Sequence, residues 1–177
     1  MRYKYSFFIF FIGFLLQSTV INYFGIFHIA PNLVLCLVII FSFLFESYHG
    51  MIFGMIFGFV SDVCFAEIIG VASLSYLIVA LLCFELKRYL YKDSVVSILI
   101  VSSAGTISYA LIYWGIMQLL GMGYEFLAIA KMEAVLLVYH GIISWLMYLL
   151  MSRRVIKHHS DRYIYRGSLQ EARSLNK

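Results

Sequence analysis

Six long apolar segments follow one another through this sequence, at about 5–24, 31–47, 50–65, 68–86, 95–120 and 133–151. A helix needs roughly 20 apolar residues to cross the hydrocarbon of a bilayer, and these segments fall close to that length. Their apolar runs are continuous rather than alternating, which favours helices over a transmembrane barrel. Composition agrees: 63% of the 177 residues are hydrophobic and 12% are charged, against about half and a quarter in a soluble domain. So few charges cannot clothe so large a core, and a water-soluble fold is excluded. Disorder would need the opposite balance. The expected fold is an all-α integral membrane protein of six transmembrane helices over residues 1–151, followed by a basic tail, 152–177. No length remains for a soluble catalytic domain. Arg2 and Lys4 precede the first segment as they would a signal peptide. Its apolar run is too long for one, and Gln17-Ser18-Thr19-Val20 is no cleavage site, so it is read as a span.

Orientation follows from the cations. Arg2 and Lys4 precede the first segment, and Lys87, Arg88 and Lys92 lie between the fourth and fifth. Seven more, Arg153, Arg154, Lys157, Arg162, Arg166, Arg173 and Lys177, follow the sixth. An even number of spans with both ends in the cytoplasm puts all of these inside and leaves only Lys131 outside. The cations are thereby accounted for, and no nucleic-acid partner is expected. The tail, with Arg153, Arg154 and Lys157 next to the membrane, is expected to meet anionic lipid of the inner leaflet or a cytoplasmic protein.

The third segment carries Gly50, Gly54, Gly58 and Asp62, each four residues from the next. On a helix they form one stripe, and side-chain-free positions let a second helix approach closely. That helix belongs either to the same bundle or to another protein. In the second case, leucines at 54 and 58 would abolish co-purification of the partner and leave the protein inserted. Asp62 is costly at membrane depth unless paired or near water. Asn22, at the end of the first segment, and Asn32, at the start of the second, fall on the same outer side. A hydrogen-bonded cluster of Asn22, Asn32 and Asp62 would serve as a clamp on three helices or as a ligand site. Pro31 suits the first position of the second helix, where its missing N–H costs nothing. His140, near mid-depth in the sixth segment, is read as an interhelical hydrogen bond or, alternatively, a proton relay.

Signs of catalysis are lacking. The sequence shows no metal-binding His-E-x-x-His, no G-x-S-x-G elbow and no phosphate-cradling glycine loop. Cys36, Cys64 and Cys83 are isolated in apolar stretches, without ligand or disulfide spacing. No catalytic residue, metal or cofactor is expected. The spans hold no paired carboxylates of the kind that ion-driven transport uses.

Ala30-Pro31-Asn32-Leu33, then Gly54-Met-Ile-Phe-Gly58-Phe-Val-Ser-Asp62, then Gly70 before an apolar fourth segment, resemble the rod shape-determining protein MreD family. The match is concentrated between residues 30 and 80. The resemblance implies a non-enzymatic role in bacterial cell elongation, in the cytoplasmic (inner) membrane, as a multi-pass protein. It implies partnership with MreC, the actin-like MreB, the polymerase RodA and a class B penicillin-binding protein in lateral peptidoglycan synthesis. It also implies a fold similar to the substrate-binding subunits of energy-coupling-factor vitamin transporters, and so an alternative role as such a subunit. Those subunits often carry a small-xxx-small docking pattern on the first span, whereas here it reads Phe7-Phe8-Ile9-Phe10-Phe11-Ile12-Gly13. Both tryptophans, Trp114 and Trp145, also fall within spans rather than at an outer pocket.

Overall fold

The computed structural model describes residues 3–19, 30–45, 48–90, 94–121 and 125–174, without the side chains of 128 and 152–174. These residues form helices and connecting turns, with no strand among them. The helices are α1 (Tyr3–Thr19), α2 (Leu33–Leu44), α3 (His49–Phe65), α4 (Val71–Leu86), α5 (Val95–Leu119) and α6 (Phe126–Ser174). The chain divides into two compact units, Met1–Trp145 and Leu146–Lys177. The first contains α1 to α5 and the start of α6; the second is the remainder of α6.

Within the first unit α2 is the centre. All twelve of its residues are buried, as expected of a helix that is apolar all round. It packs against α1, α3, α4 and α5. At about 1.5 Å per residue it is roughly 18 Å long, well short of the ~30 Å hydrocarbon thickness. Enclosure by protein explains how so short a helix is tolerated, because its ends need partners in the protein rather than a match to lipid. By length and apolarity two helices can cross a bilayer, Val95–Leu119 and Ile129–Met151; α2, α3 and α4 are apolar but shorter. The outward faces are apolar as well, with Phe8, Phe11, Ile52, Phe59, Leu111 and Ile142 all exposed. Phe10 of α1 is fully buried between α2 and α3, with its ring 5.1 Å from Phe41 and 5.6 Å from Phe53.

Several boundaries differ from the sequence expectation. Pro31 is not the first helical residue of α2 but lies one residue before its cap. Asn32 takes the N-cap, its side chain accepting from the Leu35 N–H at 2.9 Å. The sixth helix begins before the sixth apolar segment, at Phe126 rather than 133, where Phe-Leu-Ala-Ile-Ala offers good helix formers. The tail continues that helix to Ser174, because its Arg, Lys, Leu, Gln and Glu residues also favour helix and no proline interrupts them.

Candidate functional site

Three constructions use the polar and glycine residues of the first unit. The first is the corner between α3 and α4. A helix begins with N–H groups that have no intrahelical partner, and a side chain at the N-cap normally accepts from them. The N-cap of α4 is Gly70, which has no side chain and adopts φ +100°. Asp62, in the last turn of α3, supplies the acceptor instead. Its carboxylate accepts from the N–H of Gly70 at 3.0 Å, Ala72 at 3.0 Å and Ser73 at 3.1 Å. It is 2% exposed, and the positive end of the α4 dipole adds to the bonds. The Ser73 hydroxyl returns a bond to the Met55 carbonyl at 2.9 Å.

The second construction is the glycine stripe. A Cβ on Gly50 would overlap Ser42 and approach the Val38 carbonyl, and one on Gly54 would lie 2.7 Å from Val38 Cγ2. One on Gly58 would meet the Tyr76 ring at 2.7 Å and Ser73 Cα at 2.8 Å. The stripe therefore faces α2 and α4 of its own bundle. Two further glycines that the sequence did not single out do the same for other helices. A Cβ on Gly13 would meet Leu37, and one on Gly105 would meet Ile39, both at van der Waals overlap.

The third is a hub at the start of α2. The Asn32 backbone N–H donates to His140 Nε2 at 2.9 Å, and its Nδ2 donates to the Tyr76 hydroxyl at 2.6 Å. The Val34 N–H donates to Gln17 Oε1 at 3.0 Å. Because Nε2 accepts, a neutral His140 carries its proton on Nδ1, which then donates to Thr106 Oγ1 at 3.0 Å. One turn along, the Ser102 hydroxyl lies 2.9 Å from Ser144 Oγ and 3.2 Å from the His140 carbonyl oxygen. His140, Thr106, Ser102 and Ser144 are all buried. The hub thus joins α1, α2, α4, α5 and α6, with both ring nitrogens of His140 engaged. The Tyr76 ring continues into a stack with Tyr109 at 5.2 Å and Tyr113 at 5.7 Å beyond it.

Asn32 and Asp62 accordingly share no hydrogen bond: α4 connects them, through its first turn to Asp62 and through Tyr76 to Asn32. Asn22 lies outside the described residues. Arg153, Arg154 and Lys157 are on the helical backbone of the second unit, and their side chains are outside the description. At the opposite end of the bundle, Lys87 Nζ donates to the Phe45 carbonyl at 2.6 Å, a cation at the C-terminus of α2. Tyr76, Ser102, Thr106 and Ser144 were not among the residues expected from the sequence to matter. The available signal was a pair of four-residue spacings, Ser102/Thr106 and His140/Ser144, which match between antiparallel helices.

These features define a class: an all-helical bundle, apolar outside, whose interior polar groups tie helix to helix. The family model of rod shape-determining protein MreD matches residues 1–154, and the chain belongs to that family of membrane proteins. No curated protein and no solved structure is significantly similar to it.

Proposed function

We propose that this chain is a non-enzymatic scaffold subunit of the bacterial cell-elongation machinery. In this reading it crosses the cytoplasmic membrane six times, with both ends inside, and MreC is its direct partner. MreB, RodA and a class B penicillin-binding protein belong to the wider assembly that directs peptidoglycan synthesis. The observation that carries the reading is family membership over residues 1–154, which takes in all six apolar segments. Supporting it, the groups best suited to chemistry, Asp62, Asn32 and His140, have their hydrogen-bonding capacity taken up by other helices. The cationic tail, with Arg153, Arg154 and Lys157 nearest the membrane, gains about 1 kcal/mol per residue against an anionic leaflet.

Since α2 and α4 fill the glycine stripe, a partner's transmembrane helix is expected on an outward surface. Met55, Phe59 and Val63 form one exposed ridge on α3. The test is photo-crosslinking in native membranes from Phe59 and, for comparison, from the exposed Leu111 of α5, with affinity purification and identification of what is attached. A single-span periplasmic protein captured from Phe59, together with wall-synthesis enzymes, supports the scaffold. An ATPase module or a retained vitamin overturns it and makes the Asn32–Asp62 region a substrate site.

A further inference from the structure

We propose that α1, α2 and α3 enclose an internal hydration site, formed by Ser6, Ser42 and His49, at the end of the bundle where α2 finishes and α3 begins. The argument starts from an imbalance. At the other end of α2 the buried polar groups described above are hydrogen-bonded. Here Ser6 Oγ, Ser42 Oγ and both ring nitrogens of His49 are buried without a hydrogen-bond partner among the described residues. The three residues are 0%, 2% and 2% exposed. Leaving such a group unsatisfied forfeits its hydration with nothing in return, and native proteins satisfy nearly all of them with protein or ordered water.

Contacts around the three side chains bring them into one layer. The Tyr3 ring lies 4.2 Å from the His49 ring, and Ser6 follows Tyr3 by one turn of α1. Phe10, one turn further, touches Phe41 and Phe53. Ser42 follows Phe41 and abuts Gly50, the neighbour of His49. The side-chain-free Gly50 is what lets α2 approach so near the start of α3. Two hydroxyls and one imidazole offer donors and acceptors together, which is what a buried water needs in order to make two to four bonds. They include no carboxylate or thiolate, so a cation would lack an anionic ligand. Water is the ligand that matches this set.

The test uses the full chain in lipid nanodiscs, labelled with nitrogen-15 in the histidine rings, and follows magnetisation transfer from water protons by solid-state NMR. His140, with both nitrogens bonded to protein, is the internal dry reference. The expected result is transfer to His49, assigned by its loss in His49→Phe, at least several-fold faster than to His140. In Ser6→Ala/Ser42→Ala that transfer should fall at least threefold while the His140 signals stay in place. Ser42→Ala alone, the milder change, should give a smaller fall in the same direction. Transfer to His49 no faster than to His140, or transfer unchanged in the serine variants, overturns the proposal.

Discussion

The Asp62 corner and the His140 hub both satisfy the first turn of a helix with a side chain from elsewhere, but they differ in reach and in charge. Asp62 serves N–H groups eight to eleven residues away with a carboxylate. His140 serves an N–H 108 residues away with a neutral ring. The corner is a local device that shapes one helical hairpin, whereas the hub can form only after α2, α5 and α6 have met. Hydrogen bonds to a charged group contribute about 1.5–3 kcal/mol each. Neutral interhelical bonds in membranes average about 0.6 kcal/mol. The corner should therefore dominate stability, and the hub should dominate which helices stay together.

The largest effect should come from disturbing both at once. Gly58 holds the Tyr76 ring of the hub and the Ser73 backbone of the corner against α3, and Gly54 admits Val38 beside them. Gly54→Leu with Gly58→Leu should remove folded protein altogether, seen as loss of a monodisperse peak in mild detergent. A well-folded double variant that has merely lost its partner would return the stripe to the role of a docking face. Next in size is Asp62→Leu, which leaves the α4 N–H groups buried without an acceptor and should cost about 3 kcal/mol or more. Asp62→Asn retains an acceptor and should lose about half as much. Thermal unfolding followed by tryptophan fluorescence checks both, and an Asp62→Asn variant as stable as the wild type would mean that the charge contributes nothing.

His140→Leu should cost less, about 1–2 kcal/mol for its two neutral bonds, and its signature should be positional. Hydrogen exchange at Asn32 and around Thr106 should rise while Gly70 to Ser73 remain protected. Faster exchange in the first turn of α4 would show that hub and corner form one cooperative unit, and the comparison would fail.

Reach also decides what could be read from the sequence. Gly50, Gly54, Gly58 and Asp62 share one helix, so their common face follows from a four-residue period alone. Asn32 carries its capping role in the same local way, three residues from the Leu35 N–H. The rest of the hub does not, because His140, Ser102, Thr106 and Tyr76 are brought to Asn32 and to one another only through the packing of whole helices. The filling of the stripe was likewise undetermined, since a glycine face is equally suited to a helix of its own chain or of another. The end of α2 is also local: beyond Leu44 only Phe45 is apolar before Glu46, and the helix stops there rather than at 47. What the sequence does not show is Lys87, from a distant turn, meeting the Phe45 carbonyl at that stop.

The smallest prediction isolates the backbone of the corner. A Cβ on Gly70 or on Gly115 would meet no atom within 4 Å, so crowding cannot distinguish the two positions. Conformation can. Gly70 adopts φ +100° as the cap of α4, a region that costs an L-residue about 1–2 kcal/mol, whereas Gly115 lies inside α5. Gly70→Ala should therefore destabilise by that amount, and Gly115→Ala should stabilise by about 0.5–1 kcal/mol. If both were neutral in thermal unfolding, the turn before α4 would be free to adopt another path. Asp62 would then be holding a helix end whose position the glycine does not fix, and the local character of the corner would rest on the carboxylate alone.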